Sequence, residues 1–393
     1  MTLEKVAKII TPEHKVVQAF FYNPATKQFA IEMQPTKSGT SPYTEQLEIY
    51  SKTLDKSLDS IKNDIVFTNG NRKLFLEEDQ FGGHSQSLAY LETDENHPNY
   101  WLTGAAVNKP TFHKDDKGKD IENTLWDAEI LAITDDDQHI PIIINNLESI
   151  KTYYLNSINK SSSDYKELSN STIVRTEFAP IVSDDLHYLK IYLVSSTSDP
   201  QGGQNILWST FDVQDLIDLI NKAYDNKQES VSLADLDGRY DYIENNFISA
   251  KYLTLDYVFD ANYTHSISMQ GFAGNIDNDF WMSSQFGPDD AKKDKYDHYL
   301  PDYNQYRAIL YLSEYSLSNI PHVQDYSKHD FNIGNLPKDF KTEFEGVQCI
   351  SNDSENSYKD TLFLNVAYHN VYFEQGKFHA PTVANCLFKD VNA

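Results

Sequence analysis

The sequence predicts an all-β fold: a five-bladed β-propeller with loop insertions and a short peripheral helix, forming one domain over residues 1–393. Three observations carry this reading. Aromatic residues make up 13% of the chain, led by 26 Tyr and 21 Phe, types that favour strands. A strand-turn-strand layout recurs five times, with a Gln or Glu on the first strand of every copy. Those marked residues are spaced at 68, 91, 93 and 78 positions, which suits small sheets repeated around an axis to protect their edges. A sandwich of two large sheets is the alternative.

The units start near residues 15, 82, 171, 264 and 343. The first, "KVVQAFFYNPATKQFAIEMQP", carries Gln18, turns at Asn23-Pro24 and continues to a third strand, "EQLEIY". The second, "GGHSQSLAYLETDENHPNYWLTGAAV", carries Gln86, turns between Asp94 and Asn99, and is followed by "WDAEILAIT". The third, "TIVRTEFAPIVSDDLHYLKIYLVSS", carries Glu177 and turns at Ser183-Asp184-Asp185 before "NILWSTFDV". The fourth, "THSISMQGFAGNIDNDFWMSSQ", carries Gln270, turns at Asp277-Asn278-Asp279 and leads to "YRAILYL". The fifth, "FEGVQCISNDSENSYKDTLFLNVAYH", carries Gln348, turns between Asn352 and Lys359, and ends near "FHAPTVANCLF". Asn, Asp, Pro and Ser stand where hairpins need them.

Insertions supply the remaining length. "NKSSSDYKELSNS" (159–171) reads as a solvated connection. "DVQDLIDLINKAYDN" sets Val213, Leu216, Ile217, Ile220 and Tyr224 at helical spacing behind an Asp212 N-cap, which predicts the peripheral helix. "DDAKKDKYDHYLPDYNQY" (289–306) is a charged, Tyr-rich loop.

The formal net charge of −26 disfavours nucleic-acid and anionic-lipid partners. It suits a basic partner, a divalent cation, an acidic working environment or simple solubility. Cys349 and Cys386 are too few for a disulfide scaffold or a cysteine metal site. No apolar run has the length of a signal peptide or a membrane span, so no recognisable Sec-type export signal is read here, and any release from the cell is expected to use another route or lysis.

Each candidate for chemistry has a structural counterpart. His84, in "GGHSQ", would serve as general base or metal ligand, or its two glycines simply begin a strand. The ring of Gln18, Gln86, Glu177, Gln270 and Gln348 would bind a hydroxyl-rich ligand or cation in a central channel, or tie neighbouring units together through buried hydrogen bonds. Glu177 is its charged member, with Arg175 on the same strand face. Glu177, Glu343 and Glu345 are among many carboxylates a glycosidase would need in pairs, and no G-x-S-x-G, H-E-x-x-H or phosphate loop is present, so enzymatic activity is not supported. "NIDNDF" and "DLDGRYD" resemble calcium loops without the full spacing; no cofactor is expected beyond a surface Ca²⁺. Tyr100, Trp101, Trp126, Trp208 and Trp281 fall in strands and read as core. Tyr296, Tyr299, Tyr303 and Tyr306 lie in a polar loop around Pro301 and are placed to stack on sugars or rim an interface.

The segments "GGHSQSLAYLE", "RTEFAPIVSDDLHYLKIYLVSS", "HSISMQGFAGNIDNDFWMSSQ" and "GVQCISNDSENSYKDTLFLNVAYH" resemble those of the helveticin J family, large heat-labile class III bacteriocins of lactic acid bacteria. The resemblance runs in order over roughly residues 15 to 375, with longer loops and a more acidic balance here. It implies a released or displayed protein that recognises the envelope of related bacteria and reduces their viability, and it assigns no catalytic residue. A non-killing adhesin or lectin bound to a basic surface layer or glycan, and a cell-wall hydrolase, are the alternatives.

Overall fold

The computed structural model describes residues 3–12, 15–33, 46–77, 81–82, 86–114, 120–182, 186–197, 204–236, 246–248, 268–275, 279–285, 307–312, 322–326, 331, 333, 340–350, 360–370, 372–374, 377–379 and 381–390. The chain is mostly β-sheet with few helices.

β1 (Leu3–Ile10) precedes the first unit, in which β2 (Val17–Asn23), β3 (Gln28–Met33), β4 (Gln46–Thr53) and β6 (Arg72–Glu77) pair antiparallel in that order. The short β5 (Ile65–Val66) instead runs parallel to β1. In the second unit β8 (Leu88–Leu91), β9 (Tyr100–Lys114), β10 (Asp120–Thr134) and β11 (Pro141–Asn145) follow one another, with β7 (Phe81–Gly82) against the far half of β9. The third unit is β12 (Ser171–Val182), β13 (Leu186–Thr197) and β14 (Gln204–Asp212). β15 (Ser230–Ser232) returns to β11, and β16 (Asn246–Ile248) borders β14. β17 (Ser268–Gly274), β18 (Phe280–Gln285), β19 (Arg307–Leu312) and β20 (His322–Asp325) make the fourth unit.

The fifth unit is β21 (Phe340–Ile350), β22 (Thr361–Asn370) and β25 (Thr382–Asp390), and β1 completes it by pairing antiparallel with β25. Between them β23 (Tyr372–Glu374) and β24 (Lys377–His379) form a small ribbon. A single parallel bridge, Val182 to Ile350, links the third and fifth units.

Every residue of β2 is buried, because both of its faces are covered. Ala19 and Phe21 pack with Leu88, Trp101 and Phe178 of the second and third units. Phe20 and Tyr22, on the other face, pack with Ile9, Phe363 and Leu387 of the fifth. The same face-to-face contact recurs between the third and fourth units, where the Trp208 and Phe280 rings stack at 5.5 Å and 8°. Trp281 and Ile309 of the fourth unit then meet Phe344 and Val366 of the fifth. Burying each such side chain stabilises the fold by about 1.5–3 kcal/mol.

The turns follow the sequence reading where they are described. Asn23 Oδ1 accepts from Ala25 N at 2.9 Å, and Asp94 Oδ1 accepts from Asn96 N at 2.8 Å, two side-chain-closed turns. The predicted helix is α3 (Val213–Asp225), capped by Asp212 accepting from Gln214 N at 2.7 Å; Val213, Leu216, Ile217 and Ile220 are its buried face. It follows α1 (Glu148–Ser157) and α2 (Ser163–Ser169). The α2 segment corrects the reading of 159–171 as a plain connection. Ser162 caps it by accepting from Tyr165 N at 3.1 Å, and among its described side chains Leu168 alone is fully buried, too little apolar surface to announce a helix.

Candidate functional site

The first strands of the five units touch in sequence: β2 contacts β8, β8 contacts β12, β12 contacts β17, β17 contacts β21, and β21 contacts β2. Gln18, Glu177, Gln270 and Gln348 lie on these strands, and Gln86 lies two residues before β8. Four of the marked positions therefore fall on the first strands of their units and the fifth just ahead of one.

Gln86 is the hub. Its Nε2 donates to Glu345 Oε2 at 2.9 Å, its Oε1 accepts from the Gly271 amide, and its own amide donates to Glu177 Oε2 at 3.3 Å. Ser87 Oγ also donates to that Glu177 oxygen and accepts from Phe178 N at 2.9 Å. Glu177 is 1% exposed and Glu345 3%, so two buried carboxylates are held by one glutamine. Polar groups this deep persist only where hydrogen bonds satisfy them. The described contacts bind β8, β12, β17 and β21 into one polar knot.

Backbone irregularities make the knot possible. Gly271 has φ +56°, and a Cβ there would stand 2.8 Å from Val347 N. At Gly346 a Cβ would meet Ala19 Cα at 2.9 Å and Gln18 O at 3.1 Å. Both glycines sit at bulges, between Gln270 and Phe272 and between Phe344 and Val347, which let β17 approach β21 and β21 approach β2 main chain to main chain. Gln18 is itself the bulged residue of β2; its buried Oε1 has no hydrogen-bond partner among the described residues. Among the described contacts Gln348 binds the backbone of Tyr22 rather than another marked residue. Asn365 and Asn385 do the same at the start of β2, donating to Val17 O at 2.6 Å and accepting from Val17 N at 3.0 Å respectively.

Sequence reasoning missed Ser87, Gly271, Asn365 and Asn385, and it named Glu345 only as one carboxylate among many. His84, Tyr296, Tyr299, Tyr303 and Tyr306 lie outside the described residues, as do the side chains of Gln270, Arg175 and Trp126. Tyr100, Trp101, Trp208 and Trp281 are core residues, each at most 2% exposed. His97 lies in its hairpin turn with Nδ1 3.0 Å from Asp94 and Nε2 3.4 Å from Asp225; the Asp94 hydrogen bond raises its pKa. In "NIDNDF", Asn275 and Asp279 close the turn on each other, Asp279 N donating to Asn275 Oδ1 at 2.9 Å. Among the described residues no three His, Cys, Asp or Glu side chains converge as a metal site.

A cleft of about 380 Å³ opens where the first three units and α3 meet. Half-buried Tyr90 and Tyr188, exposed His187, Glu92 and Asp212, and buried Asn23 border it. Tyrosine faces beside amide and carboxylate groups suit a hydroxyl-rich ligand. Its residues come from separate units with no shared spacing, so no local signal marks it in the sequence.

A family model described as bacteriocin helveticin-J matches residues 40–389 of the chain. No curated protein matches it in sequence. Among solved structures it is similar to a tail fiber of Staphylococcus aureus phage P68, with 12% identity, 99% of this chain and 52% of that chain covered, and a TM-score of 0.41. It spans about half the length of that chain. It is also similar to the catalytic domain of Coprinopsis cinerea GH62 alpha-L-arabinofuranosidase, with 9% identity, 98% and 96% coverage and a TM-score of 0.37. A third similarity is to extracellular domains 1-2 of Drosophila Semaphorin 1a, with 6% identity, 96% and 80% coverage and a TM-score of 0.32.

Proposed function

The chain belongs to the helveticin J family of bacteriocins, and from that premise we propose that it recognises the cell envelope of related bacteria and reduces their viability. The observation that carries this is the family match, which runs from the outer strands of the first unit through the fifth. The protein acts outside the producing cell.

The architecture we propose for this role is a five-bladed propeller in a single domain, with β2, β8, β12, β17 and β21 as inner strands. Their closed circuit of contacts supports it, as does the face-to-face packing that passes from the first unit to the fifth and back to the first. In a propeller the turns after the inner strands gather at one end, where the Tyr90–Tyr188 cleft is suited to an envelope glycan. The marked ring ties the blades together beneath it, and the Tyr296–Tyr306 loop is a further recognition element.

The test adds purified protein to living lactobacilli at pH 5, counts survivors and analyses the supernatant for muropeptides. Death without wall fragments is expected. Fragment release would make the protein a hydrolase, and survival with tight association would make it an adhesin. The charge of −26 further predicts stronger retention on washed cells near pH 5 than near pH 7; equal retention would remove the charge argument.

A further inference from the structure

The acidity of this chain is not evenly spread. Residues 1–73 hold ten basic and eight acidic side chains out of chain totals of 33 and 59, so this segment is +2 while the remainder is −28. The fold concentrates the difference. A cavity of about 580 Å³ lies between β4 and β5, lined by Lys52, Lys56 and Lys62 against Asp55 and Asp64. Lys52 Nζ is fixed by donating to Val66 O at 3.2 Å, while Lys56 and Lys62 are exposed.

More lysines converge from other elements. The Leu54 amide donates to Lys27 O at 2.9 Å, which brings the β2–β3 turn to the cavity rim. Lys389 Nζ stands 3.5 Å from Asp59 on the same loop. β1 lies beside β5, and the Cys386 thiol of the neighbouring strand feels Lys5, Lys8 and Asp64 together. Val66, at 43% exposure, adds an apolar contact next to these charges.

We propose that this lysine-rimmed cavity binds an anionic envelope polymer, a flexible chain of repeating phosphodiester or carboxylate groups, and so fixes which side of the protein meets the target cell. Ammonium groups on flexible stems suit successive anions along such a chain, whose exact spacing varies. A net −28 elsewhere turns the rest of the molecule away from the same polymer. The inference rests on envelope recognition and names the chemistry recognised. It also revises the bulk-charge argument against anionic partners, since that argument averages over a surface that holds this lysine cluster.

The experiment compares the full-length protein with a Lys52→Gln, Lys56→Gln, Lys62→Gln variant. A Lys160→Gln, Lys166→Gln, Lys222→Gln variant makes the same charge change at exposed sites elsewhere. Retention is measured on poly(glycerol phosphate), on polygalacturonate, on anionic phospholipid vesicles and on washed bacterial cells. The expected result is a loss of at least about tenfold on one or both polymers for the first variant only, with wild-type binding weakened by salt. The two polymers tell phosphate from carboxylate. Equal binding by all three proteins, no wild-type binding to either polymer, or binding to vesicles alone would overturn the proposal. Wild type that binds cells while the two variants do not differ would leave envelope recognition standing; wild type that binds no cells would end that reading as well.

Discussion

Gln348 of β21 clasps the main chain of Tyr22 in β2, its Nε2 donating to the Tyr22 carbonyl at 2.9 Å and its Oε1 accepting from the Tyr22 amide at 2.8 Å. One side chain thus supplies both hydrogen bonds that a neighbouring strand would supply, across 326 residues of sequence. Replacing Gln348 with Leu keeps the apolar volume and orphans a buried donor and a buried acceptor. The expected cost is about 1–3 kcal/mol for each, read as a lower urea midpoint. An unchanged midpoint would show that Gln348 is dispensable to the fifth-to-first contact.

Gly346→Ala tests the closeness of the inner strands. The added methyl would face backbone atoms of Ala19, Gln18 and Phe20 at 2.9–3.3 Å, none of which can rotate away. A loss of about 1–3 kcal/mol follows from forcing the strands apart. Gly70→Ala is the control, because its nearest neighbour is Thr68 Oγ1 at 3.6 Å, and it should stay within about 0.5 kcal/mol of wild type.

His97 predicts a pH-dependent term. Its folded pKa is raised, first by the Asp94 hydrogen bond and then by Asp225, so the protonated ring ties the second-unit turn to the end of α3. For a raised group the stabilisation is complete below the unfolded histidine value of about 6.5 and disappears as pH climbs through the folded value. His97→Gln should therefore lower Tm at pH 5.5 and leave it nearly unchanged at pH 8.5. An equal effect at both values would exclude the charged bridge.

The cysteines should be silent in the native protein. Burial pushes the Cys386 thiol up to about 11 and also raises the Cys349 thiol well above its ordinary value, with Asp360 and Asp279 adding to the effect at Cys349. Thiolate is the reactive form. A thiol reagent at pH 8 should label neither cysteine in buffer and both in denaturant. Prompt labelling of the native protein would mean that unit five opens readily.

The strands were legible because their signals are local. "FFYN", "QFAIEM" and "TLFLNVAY" alternate or run apolar between Asn- and Asp-rich turns, and Asp212 stands before a helical stripe. The marked residues were recognisable as a set, since one polar position recurs on or just before the first strand of each unit. Their partners were not. Gln86 meets Glu345 and Gly271 across 259 and 185 residues, and a single Glu or Gly within a strand carries no trace of what it will face. Asn365 and Asn385 interrupt apolar runs with nothing nearby to mark a role, yet each holds the backbone around Val17 at the start of β2. The lysine cluster was hidden by the opposite cause: a strongly negative total conceals a local surplus.

The pairing of β1 with β25 sets the timing of assembly. During synthesis β1 emerges early and waits, with Ala7 and Ile9 uncovered, until a partner more than 370 residues later leaves the ribosome. Nascent chains of every shorter length hold an unfinished fifth sheet. A chain cut anywhere before β25 would thus leave the edge of β1 without its antiparallel partner.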